Sequence, residues 1–123
     1  MNECRLIGNS FPLSLIRRRV VIEMSNRDVL LSELKEHPVK SFWGHANTLG
    51  AVNAWLGVDI IPETARPALS LSPEGFPQLD GVSFRQCFVL SPDYRPGFRP
   101  AIGVEVSQED ILGWQVLKLI WTD

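Results

Sequence analysis

The residues best suited to proton-transfer chemistry lie in Ser41-Phe42-Trp43-Gly44-His45-Ala46-Asn47-Thr48, a strand-like run that ends on Gly-His and passes straight into a helical pattern. A strand-to-helix turn directs backbone N–H groups and the positive end of the helix dipole outward, so Gly44, Asn47 and Thr48 mark a place where a phosphate can be held. His45 would stand beside that anion. An imidazole can give or take a proton near neutral pH, which phosphodiester chemistry requires of a general acid or base. The plainer alternative is that Asn47 or Thr48 only caps a helix while His45 bonds a nearby carbonyl.

A second junction, Gly8-Asn9-Ser10-Phe11, again joins a strand pattern to small polar residues. If both junctions share one sheet edge, Asn9 and Ser10 line a crevice outside the carboxyl ends of the strands, where α/β proteins commonly bind ligands. Turn chemistry alone also accounts for them. Arg66 and the segment Tyr94-Arg95-Pro96-Gly97-Phe98-Arg99-Pro100 form a third feature, because a guanidinium fork suits phosphate oxygens and Tyr94 or Phe98 could stack on a base. Against this, arginines in surface turns pair with neighbours, here Asp93 or Glu105. Arg17-Arg18-Arg19 reads as a solvated strand edge. His37 and His45 are not at metal-ligand spacing, and no Gly-rich phosphate loop or nucleophile elbow occurs, so neither a metal nor a cofactor is expected. Trp43, Trp55, Trp114 and Trp121 suit a core or a dimer interface better than a binding cage.

The elements that must position these residues are short. Cys4 to Gly8, Arg19 to Met24 and Val39 to Trp43 read as strands. Phe11 to Ile16 reads as a helical turn with Ser10 as its cap. Arg27 to Glu36 has Val29, Leu30 and Leu34 at helical spacing, with Ser25 or Asn26 before it and Pro38 after it. A second helix runs from Asn47 or Thr48, with Leu49, Val52, Trp55 and Leu56 on one face and Gly57 as its left-handed cap. Prolines at 62, 67, 73, 77, 92, 96 and 100 exclude long helices from the region that follows. That region should hold strands at Ala68 to Leu71 and Phe84 to Leu90, with Ser72 to Gly81 as a surface excursion. Ser107 opens a capping sequence for a short helix before Ile111 and Leu112, and Trp114 to Trp121 reads as a closing strand covered on both faces. Strands interleaved with short helices predict an α/β fold, a single domain over 1–123 with one mixed β-sheet flanked by short helices.

At 123 residues, with 45% hydrophobic and 21% charged residues, the chain has the size and composition of one compact domain. A net charge of -2 gives no overall basic field, so a grip on a long nucleic acid is not expected. A small anion in a local basic pocket is compatible with that charge. Cys4 and Cys87 form no CxxC pair, which suits a reduced, cytoplasmic protein. No apolar run approaches the roughly 20 residues of a membrane span, and the N-terminus lacks the layout of a signal peptide, so no membrane partner is expected.

Three of these segments, taken in order, resemble the family of small archaeal-virus and mobile-element proteins that act as viral ring nucleases, anti-CRISPR enzymes that degrade cyclic tetra-adenylate in type III CRISPR signalling. Asn9-Ser10-Phe11 after the first strand is similar to that family's Asn-Ala-Phe-Ser turn. Gly44-His45-Ala46-Asn47-Thr48, followed by Val52-Asn53 and Gly57, is similar to its Gly-His-x-Ser-Thr helix. Arg66 opens a strand as a family arginine does, and Leu117 to Asp123 looks like the family's closing strand. The resemblance implies a homodimer with a two-fold pocket holding a cyclic oligonucleotide, since such a pocket presents identical groups to opposite phosphates of a ring. It implies metal-independent cleavage in which a ribose 2′-OH attacks the adjacent phosphorus and His45 protonates the departing 5′-oxygen. Arg66 and Arg95 would hold transition-state charge, and backbone near Asn9 would position the ring.

The family's Arg-x-x-Glu is here Arg95-Pro96-Gly97-Phe98, without the glutamate. Pro12 stands where the family has a ligand-contacting serine, and Ser72 to Gly81 reads as an insertion. A different cyclic nucleotide, slow turnover or binding without cleavage would follow from such differences. The rival expectation is a non-catalytic phage or mobile-element protein that blocks a defence complex by protein–protein contact.

Overall fold

The structure, a computed structural model, describes residues 4–42, 46–60, 69–99 and 108–122. Its strands are β1 (Arg5–Gly8), β2 (Val20–Met24), β3 (Val39–Ser41), β4 (Ser70–Leu71), β5 (Pro77–Leu79), β6 (Val82–Ser83), β7 (Gln86–Tyr94) and β8 (Ile111–Trp121). The helices are α1 (Arg27–Glu36) and α2 (Ala46–Leu56), with 3-10 turns at Leu13–Leu15 and Gln108–Asp110. The fold is mixed α/β, as the alternation of elements predicts. A five-stranded sheet runs in the order β2-β8-β7-β1-β3. Within it β1 is parallel to β3 and β7, and β8 is antiparallel to β2 and β7.

Alternation along the strands splits the core in two. Ile7, Phe88, Leu90 and Val116 face the helices and pack with Leu30, Leu49, Val52 and Leu56. Leu6, Cys87, Leu119 and Trp121 face the other way, against Phe76, Leu79 and Phe84. The first helix starts where Asn26 Oδ1 accepts the Val29 N–H at 2.9 Å, which satisfies one orphan donor, and it ends ahead of Pro38. The second ends at Gly57, whose φ of +69° is the left-handed conformation that closes a helix with little strain.

Three expectations need correction. The segment from Ser72 to Gly81 is no surface excursion, because Phe76, Pro77 and Leu79 are buried and β4, β5 and β6 form a second, antiparallel sheet on the face away from the helices. Its anchor is Phe76, whose ring is covered by the guanidinium groups of Arg18 and Arg85, 4.1 and 4.5 Å from the ring centroid. Arg18 therefore belongs to the packing; its side chain donates to the carbonyls of Thr122 and Glu74. The turn at Leu13–Leu15 takes Pro12, without a side-chain hydrogen bond, in the capping position expected for Ser10. Finally, β7 runs on through Pro92 to Tyr94 instead of stopping at Leu90. Trp121 N–H donates to the Arg85 carbonyl at 2.9 Å, and counting in twos from that bonded pair leaves Pro92 at a position that makes no hydrogen bonds to β8. Its missing N–H faces the side that β1 no longer flanks, where a proline is tolerated.

Trp114 and Trp121 are buried in the two core clusters, in agreement with a packing role. Among the described residues, no helix is long and apolar enough to cross a membrane.

Candidate functional site

The carboxyl ends of β1 and β3 lie side by side. Ile7 is in register with Ser41, and Phe42 N–H donates to the Ile7 carbonyl at 3.1 Å, so the chain leaves the two strands about 4.8 Å apart. From β1 it enters Asn9, half-buried, and Ser10, exposed. From β3 it passes through 43–45 into α2, whose first turn contains Asn47 and Thr48. The backbone thus places both strand-to-turn junctions at one sheet edge, the location that parallel α/β sheets use for ligands. Gly44, His45 and Arg66 lie outside the described residues.

Gly8 ties the junctions together. A Cβ there would stand 2.2 to 2.5 Å from three ring carbons of Phe42. That ring is held edge-on by Phe11, with centroids 6.3 Å apart, and so cannot turn away freely. Gly8→Ala is accordingly expected to cost about 1–3 kcal/mol by overpacking and to displace the start of α2. Urea unfolding reads the cost, and a loss below about 0.5 kcal/mol would mean that the ring is free to move.

Arg95 lies elsewhere. Extending the register of Gly8 with Val89 puts Asn9 level with Leu90, and Arg95 five residues further along the hairpin, roughly 17 Å of extended chain. Its Nε donates to Asp110 Oδ1 at 2.6 Å and its guanidinium lies 5.2 Å from the Phe98 ring centroid. Among the described residues the carboxylate that pairs with it is Asp110, instead of Asp93; Glu105 lies outside them. Within one subunit, Arg95 is not brought to the Asn9 turn.

The opposite end of the sheet is also polar. Arg5, buried on β1, donates from Nε to Glu33 Oε2 at 2.8 Å, and its Nη2 lies 3.2 Å from His37 Nε2. Lys118 Nζ is 3.5 Å from Glu33 Oε1. Burial pushes the Glu33 carboxyl up, but the hydrogen bond and charge of Arg5, with Lys118 and His37 behind them, outweigh it and hold the pKa below the ordinary value. A pocket of about 370 Å³ at this end is lined by Cys4, Glu74, Phe76, Ser83 and Arg85. Burial raises the thiol pKa of Cys4 and of Cys87, so neither is an activated nucleophile. Among the described residues no cluster of His, Cys, Asp and Glu is arranged to hold a metal ion. Arg5, Lys118 and His37, through Glu33, hold α1 to the sheet, and neither they nor the pocket on the other face serve the two junctions.

Fold and edge together define a mixed α/β protein with helices on one sheet face, a small sheet on the other, and parallel strands ending at a polar rim. This architecture is similar to that of B116 of Sulfolobus turreted icosahedral virus, with a TM-score of 0.58 over 96% of this chain and 98% of that one, at 11% sequence identity. The fold is thus shared with a small archaeal-virus protein. No protein-family model matches the sequence, and no curated protein matches it.

Proposed function

We propose that this chain is a homodimeric protein that binds and cleaves a cyclic oligoadenylate at the rim formed by the ends of β1 and β3. The observation that supports this best is the adjacency of the carboxyl ends of β1 and β3, the first continuing into Asn9 and Ser10 and the second preceding α2 in the chain. A phosphate at that rim would meet backbone N–H groups and the positive helix end. His45, one residue ahead of the helix, would give its proton to the 5′-oxygen as the neighbouring ribose 2′-oxygen bonds to phosphorus and loses its own proton to water. The products are a linear oligonucleotide with a 2′,3′-cyclic phosphate at one end and a 5′-hydroxyl at the other. Arg66 and Arg95 supply positive charge, Arg95 after exchanging Asp110 for phosphate and from the partner subunit. A viral or mobile-element origin suits the fold shared with the archaeal-virus protein.

The test is incubation of the purified chain with cyclic tetra-adenylate, with and without EDTA, followed by chromatography of products and calorimetry of binding. Linear product formed equally in both conditions is the expected result. Absence of binding overturns the reading, and binding without product overturns its catalytic half in favour of sequestration.

A further inference from the structure

We propose that the cavity between the small sheet and the amino ends of β1 and β7 binds a small zwitterion, an α-amino acid with an apolar side chain. The cavity measures about 370 Å³ and is lined by Cys4, Glu74, Phe76, Ser83 and Arg85. That volume lies at the small end of the ~300–1,000 Å³ of ligand sites, the scale of a single metabolite. Two steps back from the pairing of Leu6 with Cys87, Cys4 stands level with Arg85. The turn between β4 and β5 supplies Glu74 and Phe76, and β6 supplies Ser83.

The walls carry opposite charges that do not meet. Glu74 rides on a pinned turn: Ser72 N–H donates to the Phe76 carbonyl at 2.8 Å, Gly75 N–H to the Ser72 carbonyl at 2.9 Å, and Phe76 N–H to Ser72 Oγ at 3.0 Å. Arg18 adds a restraint, donating from Nη1 to the Glu74 carbonyl at 2.8 Å. The Arg85 guanidinium is drawn onto the Phe76 ring, 4.5 Å from its centroid, by the attraction of a cation for the ring face. No ion pair among the described residues includes Glu74, so the cation and the carboxylate share a cavity without closing it. A molecule that brings one charge of each sign matches both walls. Its carboxylate takes the Arg85 fork, whose five N–H donors suffice for the protein and a ligand together, and its ammonium takes Glu74. A plain anion is repelled by Glu74 and a plain amine by Arg85, which selects the zwitterion. Phe76 and Cys4 give its side chain an apolar wall, and the pinned turn limits the ordering cost of binding.

Cys4 precedes Gly8 by four residues, roughly 13 Å of extended strand, so this site is separate from the rim and stands whether or not the chain binds a nucleotide. Titration of the ¹⁵N-labelled chain with leucine, methionine and phenylalanine tests it, the amide signals of Gly75 and Ser83 reporting the site. Leucine should shift both signals, whereas 4-methylpentanoate, which lacks the ammonium, and 3-methylbutylamine, which lacks the carboxylate, should each bind about 10–100-fold more weakly. Glu74→Gln and Arg85→Gln should each weaken leucine by the same factor. Glu74 is exposed and its side chain holds nothing in place among the described residues, so its variant keeps the fold even where the loss of Arg85 disturbs the packing on Phe76. Absence of any shift at about 10 mM of the three amino acids overturns the proposal. An analogue that binds as tightly as leucine overturns the zwitterion as ligand class, and a Glu74→Gln chain that keeps wild-type affinity overturns the placement of the ammonium. Cyclic tetra-adenylate binding, measured on the same samples, reports separately on the proposed function.

Discussion

Replacing His45 with alanine is expected to slow the appearance of linear product from cyclic tetra-adenylate by about 10²–10⁴-fold, with little change in affinity for the ring. The size follows from the leaving group. A ribose 5′-oxygen expelled as an alkoxide is a poor departure at neutral pH, whereas one protonated as the P–O bond breaks leaves as a neutral alcohol. Binding should survive because the ring is held by several phosphates, backbone N–H groups and arginines, none of which the substitution removes. An unchanged rate would dismiss His45 as the acid. Loss of both rate and affinity, with the fold intact by circular dichroism, would make it a ligand-holding residue instead.

How much of this was legible depended on whether the responsible contact is local. The helix at Arg27–Glu36 could be read because its cap, its apolar spacing and the following proline all lie within a dozen residues. The small sheet could not, because strands of two or three residues show no periodicity, and Pro77 looks like a breaker unless it occupies a strand's first position. The candidate rim was legible only conditionally. Each junction is visible on its own, but their adjacency rests on the parallel pairing of Ile7 with Ser41 across 34 positions of chain. Arg95 is bonded to Asp110, and that carboxylate is brought to it only by the return of the hairpin through β8. Similarly, Arg5 in a run of apolar residues gives no sign of Glu33, which reaches it only after α1 has crossed the sheet.

That last contact supports the second large prediction: Arg5→Ala should lower unfolding free energy by about 3 kcal/mol at neutral pH, and the deficit should shrink as the solution is acidified. Breaking a buried pair is costly because the surviving carboxylate stays desolvated, and both side chains here are mostly out of water, 7% and 19% exposed. The estimate takes the low end of the usual range because Lys118 remains 3.5 Å from Glu33 and supplies part of the missing charge. The pH sign follows from the lowered pKa of Glu33. A carboxyl whose folded-state pKa is depressed contributes stability above its unfolded pKa, and that contribution is lost as pH falls through the folded value. Acid thus removes from the wild type what the substitution has already removed from the variant, and the two unfolding curves should converge below the ordinary carboxylate range. Urea titrations of both chains across that range measure the convergence. A deficit that stays constant with pH would assign the cost to lost packing of the Arg5 stem against α1, and the ion pair would then be incidental to the stability of this end of the sheet.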